Sequence, residues 1–107
     1  MVVVSAHAAD FVWRAGGAIA LHTEAGGSAV VISLSYGENG ESGDLWRVPD
    51  QTVEAVKEHR HREASAAAGA LGAEFVPLDL GDYPLEVSQE ALSKLVSLYV
   101  DHQPDVL

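Results

Sequence analysis

Val2-Val3-Val4-Ser5-Ala6-His7-Ala8-Ala9-Asp10-Phe11 runs from a β-branched stretch, through small and polar residues, into the start of a helical pattern. Val2 to Val4 is a short apolar run of the kind that forms a buried strand. Asp10 has the character of a helix N-cap, because its carboxylate can accept from the free backbone N–H groups of a first turn. Val12, Ala15, Ile19 and Ala20 then recur at helical spacing, and Gly26-Gly27 ends the helix. The chain therefore opens as strand, turn, helix. Gly16-Gly17 inside that helix costs about 1 kcal/mol per glycine relative to alanine. The expected return is a close backbone approach, to the sheet or to a ligand.

The remaining segments repeat the alternation. Ala29 to Leu34 is nearly continuous in apolar residues, as in a parallel strand covered on both faces. The loop Ser35 to Asp44 carries three glycines and three acids. It follows the C-terminal end of a strand, where open α/β sheets place their ligands. Pro49 to Leu71 reads as a second helix, with Asp50 to Glu54 resembling a capping box and Gly72 as the stop. Glu74 to Leu78 is a third strand, followed by a turn at Gly81-Asp82-Tyr83-Pro84. Ser88-Gln89-Glu90 opens a third helix with Leu92, Leu95, Val96 and Tyr99 on one face. Pro104 to Leu107 has the pattern of a fourth strand just beginning. The order β-α-β-α-β-α-β implies an α/β parallel sheet with flanking helices and right-handed crossovers. Residues 1–107 are then the N-terminal part of a single larger α/β domain, cut as its fourth strand begins. Alone, they are expected to self-associate, because such a cut exposes a sheet edge or face.

Composition narrows the function classes. Of 107 residues, 48% are apolar, which fits a folded chain. The formal net charge of -10, from 16 acids against 6 basic residues, argues against nucleic-acid and anionic-membrane partners. The absence of cysteine removes disulfides, thiolate metal sites and cysteine catalysis, and it fits a cytoplasmic location. No signal peptide is expected, since no positive region precedes the valines. No stretch approaches the roughly 18 apolar residues of a membrane span.

His7 and Asp10 are candidate metal ligands at the strand-to-helix junction. Imidazole and carboxylate both suit zinc, and a catalytic zinc takes three protein ligands and an open position. Taken alone, His-x-x-Asp is also what an ordinary helix start looks like, with Asp10 capping and His7 closing the strand.

The surrounding residues resemble a known family. Val4 to Asp10 followed by Gly16-Gly17 is similar to the Ala-His-Pro-Asp-Asp-Glu opening of the PIG-L / LmbE-like zinc deacetylases. Tyr36 to Glu41 resembles their Gly-Glu-x-Gly-Glu loop. Arg60, Glu63, Ala67, Leu71 and Gly72 resemble their Arg-x-x-Glu helix, and Gln103 to Leu107 the strand before a later zinc-binding histidine. The resemblance implies a Rossmann-like fold, zinc held by His7 and Asp10, and a third ligand beyond Leu107. It places Glu41, Arg60 and Asp82 facing substrate. The departure is Ala9, where the deacetylases carry the aspartate that serves as general base; alanine cannot accept a proton.

One branch fits that departure, the 4-oxalomesaconate hydratases of gallate and protocatechuate breakdown. It resembles this chain at His7 to Arg14, Gly37 to Ser42, Leu45-Trp46-Arg47 and Gly81 to Pro84. This implies zinc-dependent addition of water to a carbon–carbon double bond of a small tricarboxylate. Glu41 is then the candidate acid/base. Arg14, Arg47, Arg60 and Arg62 are candidate carboxylate grips, since guanidinium binds carboxylate bidentately.

Each of these residues also has a plainer role. Glu38 and Glu41 suit a solvated loop. Arg60 with Glu63 suits a surface ion pair, and Arg62, His59 and His61 a charged helix face. His22 and His102 suit surface or cap positions, Trp13 and Trp46 packing. A zinc-dependent N-deacetylase is the alternative activity, and an inactive fragment or binding domain without a complete metal site is the alternative class. A homo-oligomer is compatible with the sequence.

Overall fold

β1 (Val2–Ser5), α1 (Asp10–Glu24), β2 (Ala29–Ser33), α2 (Val53–Ala70), β3 (Ala73–Pro77) and α3 (Gln89–His102) follow one another, with a 3-10 turn at Leu45–Arg47 before α2. This is the architecture of the computed structural model, which describes every residue from Met1 to Leu107. The strands pair in parallel in the spatial order β1-β2-β3. Val3 lies opposite Val31, and Val31 opposite Phe75.

Side chains alternate across a strand, so β2 feeds two cores. Ala29 and Val31 face α1 and α2, where Ala8, Phe11, Ile19, Ala64 and Ala68 are buried with them. Val30 and Ile32 face the other side, with Val2 and with Leu95, Leu98 and Tyr99 of α3. Every residue of β2 is buried, which explains its unbroken apolar run. The α/β class with a parallel sheet and helices on both faces is therefore the observed one.

Several local expectations give way. Asp50 does not cap α2. Its φ of 59° is left-handed, so the helix cannot pass through it. Thr52 is the N-cap instead, its hydroxyl accepting from the Ala55 N–H at 3.2 Å. Asp10 is likewise the first helical residue rather than the cap; Ala9 holds the cap position without a side-chain bond. The fourth strand is not formed over 104–107. Gln103 turns left-handed with a φ of 42°, and Pro104 has no N–H to donate. A single bond from the Val2 N–H to the Val106 carbonyl, 2.9 Å, lays the tail on the free edge of β1. Leu92 and Val96 are exposed on α3, and Leu98 takes their place in the core. Trp13 does not pack: it is 85% exposed. The close approach expected at Gly16-Gly17 is absent, since a Cβ on Gly17 would meet nothing within 4 Å and one on Gly16 only ordinary contacts at 3.8 Å. No helix is long and apolar enough to cross a membrane.

Candidate metal centre

The C-terminal ends of β1 and β2 lie side by side and build the site. The Ser5 hydroxyl donates to the His7 carbonyl at 3.0 Å. The His7 N–H donates to Asp10 Oδ2 at 2.9 Å, and the Asp10 N–H returns to the His7 carbonyl at 3.3 Å. This reciprocal pair closes the turn and aims the Asp10 carboxylate back at the imidazole. An acid in the first turn is also favoured by the helix dipole.

Beyond β2 the loop is folded by buried serines. Ser35 Oγ donates to the Ala6 carbonyl at 3.1 Å and accepts from the Gly37 N–H at 3.2 Å. Ser42 Oγ donates to the Gly37 carbonyl at 2.9 Å. Glu41 is thereby brought back over His7. Gly37 is needed there: its φ is +68°, and a Cβ would lie 3.1 Å from Glu41 Oε2 and 3.3 Å from the His7 Cβ.

His7 Nδ1 lies 3.5 Å from Asp10 Oδ2 and 3.3 Å from Glu41 Oε1. One donor atom from each of these three residues falls within 4.8 Å of the others. One imidazole nitrogen and two carboxylates form a donor set that suits a divalent metal such as zinc. The spacing of the three donors fits a single ion. Glu41 thus offers a candidate third donor within the chain, beside the ligand expected beyond Leu107.

Arg60, on α2, reaches the same rim. Its guanidinium is 4.0 Å from Glu41 Oε2 and 3.1 Å from Glu63, and its Nε donates to the Tyr36 carbonyl at 3.4 Å. Arg60, Glu63 and Glu41 line an open cleft of about 400 Å³ with Gly40, Ser42 and Asp44. Arg14 lies one turn beyond Asp10 and shares a separate cleft with it, beside β1. Arg47 is turned away, in an exposed pair with Asp44 at 2.9 Å. Arg62 is likewise exposed, paired with Glu58 at 3.0 Å.

Asp82, which the family resemblance sets toward substrate, is buried against His7 rather than on the open cleft. Its side chain is 1% exposed and its Oδ1 lies 3.3 Å from His7 Nε2. Its Oδ2 accepts from the Asn39 and Gly40 N–H groups at 3.0 and 2.8 Å.

Glu38, expected on a solvated loop, is only 2% exposed. Its Oε1 lies 3.6 Å from Lys57 Nζ, and its Oε2 has no hydrogen-bond partner. Lys57 also pairs with Asp79 at 2.8 Å. The Asp79 hydrogen bond, opposed in part by burial, holds the Lys57 ammonium above its ordinary pKa. Tyr36, beside this group, is also raised, first by burial and then by the Asp79 charge. His61 is a packing residue rather than part of a charged face, with its ring 5.8 Å from that of Phe75 and 5.9 Å from that of Tyr36. The pairing of Lys57 with Glu38 and Asp79 is not visible in the sequence, because the three residues come from separate segments and Lys57 is one of several charges in the run Lys57 to Glu63.

A cluster of His and carboxylate donors that could hold a metal lies at the strand ends of a parallel α/β sheet. Residues 2–107 match the PIG-L family profile, described as GlcNAc-PI de-N-acetylase, and the chain belongs to that family. It is 52% identical over 104 residues to the 4-oxalmesaconate hydratase of Pseudomonas putida, covering 97% of this chain and 40% of that protein. The crystal structure of GalB, the 4-carboxy-2-hydroxymuconate hydratase of P. putida, superposes with a TM-score of 0.94 at 52% identity, over 96% of this chain and 43% of that one. The N,N'-diacetylchitobiose deacetylase of Pyrococcus horikoshii shares the fold, with a TM-score of 0.84 at 22% identity over 97% of this chain and 38% of that one. The chain spans about two fifths of the length of the relatives it matches.

Proposed function

We propose that the protein is a zinc-dependent hydratase that adds water across a carbon–carbon double bond of 4-oxalomesaconate. The observation that carries this reading is the equipment around His7. Ala9 offers no carboxylate at the start of α1, while Glu41 stands at the cluster with one oxygen toward His7 and the other toward Arg60. The 52% identity with hydratase sequence and crystal structure from P. putida supports the same choice.

His7, Asp10 and Glu41 would hold the metal. Zinc bound there would polarise an oxygen of the substrate or position water. Glu41 is 37% exposed and sits on the open cleft, so it can exchange its proton with solvent. Hydration needs a hydroxyl at one end of the double bond and a proton at the other. Glu41 can both hold the metal and move that proton only through different oxygens: Oε1, toward His7, would ligate, and Oε2, toward Arg60, would move the proton. Arg60, held between Glu41, Glu63 and the Tyr36 carbonyl, is the guanidinium available to a substrate carboxylate at the cleft, and a trianionic substrate would draw it from Glu63. Arg14 is the second cation near Asp10. A soluble tricarboxylate substrate and a cysteine-free chain fit a cytoplasmic enzyme.

The test offers the full-length protein, loaded with zinc, two substrates in separate assays. Loss of the oxalomesaconate dienol absorbance without acetate release from an N-acetylglucosaminide supports the hydratase. Acetate release with an unchanged dienol absorbance overturns it in favour of the deacetylase. The Glu41→Gln variant is expected to lower the hydration rate on the order of 100-fold or more.

A further inference from the structure

We infer that Asp82 is a positioning residue for the metal centre: it fixes the His7 tautomer so that Nδ1 presents a lone pair to the metal. The inference rests on the reading of His7 as a metal ligand. His7 has two ring nitrogens with different surroundings. Nδ1 faces Asp10 and Glu41, the other two donors. Nε2 faces Asp82 Oδ1 at 3.3 Å. With the metal on Nδ1, between Asp10 and Glu41, the ring proton sits on Nε2, where the buried Asp82 carboxylate faces it and holds the ring in that orientation.

Asp82 is built for this and for nothing at the cleft. Its side chain is almost completely buried, so a substrate cannot reach it. Both oxygens are already engaged, Oδ1 with the imidazole and Oδ2 with the Asn39 and Gly40 N–H groups. The Asn39 side chain closes the arrangement by donating to the Asp82 carbonyl at 2.6 Å. The Tyr83 ring lies so close to Gly40 that a Cβ there would collide with it. Asp82 thus ties the segment carrying Glu41 to the same carboxylate that orients His7. Two of the three metal donors are set by one buried side chain that is not itself a ligand.

Asp82→Asn separates orientation from tethering. The amide oxygen can keep accepting from Asn39 and Gly40, so the loop stays tied. The amide nitrogen then faces His7 Nε2 and must donate to it. His7 is forced to carry its proton on Nδ1, the nitrogen the metal needs. The expected result, in full-length protein, is a zinc affinity lowered on the order of 10–100-fold with little change in melting temperature. The nitrogen-15 resonances of zinc-loaded, histidine-labelled protein, assigned by comparison with His7→Gln, should report a protonated Nε2 and a metal-bound Nδ1 for His7 in the parent. A His7 that binds zinc through Nε2, or an unchanged zinc affinity in Asp82→Asn, would overturn the inference. Asp82→Ala, which removes both functions, should lose zinc affinity and melt at lower temperature; loss of melting temperature alone counts against orientation. If the parent binds zinc no better than His7→Gln does, the metal reading itself falls, whereas a parent that binds zinc through Nε2 sinks only the role given to Asp82.

Discussion

Gly37 and Gly17 are the same residue under opposite demands. At Gly37 the backbone is left-handed and a side chain would press on both Glu41 and His7. Gly37→Ala should therefore destabilise by about 1–2 kcal/mol and weaken zinc binding, since Glu41 must move to make room. At Gly17 nothing stands within reach of a Cβ, and the residue is exposed in mid-helix. Gly17→Ala should stabilise by about 0.5–1 kcal/mol, read as a rise of a few degrees in melting temperature. A fall at Gly17 would show that a contact requires the glycine after all. The same residue scale explains Ala9 and Glu38. The missing carboxylate at Ala9 is visible in the sequence because a motif position is either an acid or it is not. The burial of Glu38 is invisible there, because it depends on Lys57 arriving from α2 and Trp46 folding over the loop, its Nε1 donating to the Glu38 carbonyl at 2.6 Å.

The elements were legible in kind and less so at their ends. β2 could be read because full burial leaves it continuously apolar. α3 opened at Ser88 as its pattern suggested, and Ser88 Oγ accepts from the Ala91 N–H at 3.2 Å. α2 misled because Asp50 and Thr52 both have capping side chains, and only backbone angle separates them. Asp50 is left-handed, whereas Thr52 is extended, the conformation a cap requires. Thr52→Ala should cost about 1 kcal/mol in urea unfolding, and Asp50→Asn, which keeps a residue tolerant of the left-handed angle, should cost little. Equal losses at the two positions would contradict the assignment. Asp10 misled for a functional reason. Its carboxylate is turned back to the His7 N–H rather than forward into its own helix, which keeps it beside the imidazole. The closeness of His7 and Asp10 was legible because spacing within one segment carries it. The contact of Asp82 with His7 was not, because the sheet order brings those distant turns together.

At the scale of the molecule, the parallel order β1-β2-β3 brings the turns after all three strands to one end. Lys57 crosses that end from α2, bonding Asp79 after β3 at 2.8 Å and approaching Glu38 after β2 at 3.6 Å. Its folded pKa is raised above the ordinary 10.5, chiefly by Asp79. Tyr36 is raised above its ordinary 10.0, chiefly by burial. Both groups keep a proton in the folded state at a pH where the unfolded chain has released it. Stability therefore falls as pH rises wherever the folded state binds more protons. The lysine contribution is fully present below about pH 10.5 and is lost as pH climbs through the raised folded value; the tyrosine adds a loss of the same sign from about pH 10 upward. Unfolding free energy of the parent, measured in urea across the alkaline range, should turn downward above about pH 10. Lys57→Met removes the lysine part of that dependence and also the Lys57 charge that lowers Tyr36, so the loss that remains above about pH 10 should be that of the tyrosine alone. It should also be less stable at neutral pH by about 1–3 kcal/mol, because the buried Glu38 carboxylate is left without its cation. A Lys57→Met variant as stable as the parent at neutral pH would mean that the bridge across the strand ends carries no weight in holding the loop over the candidate metal site.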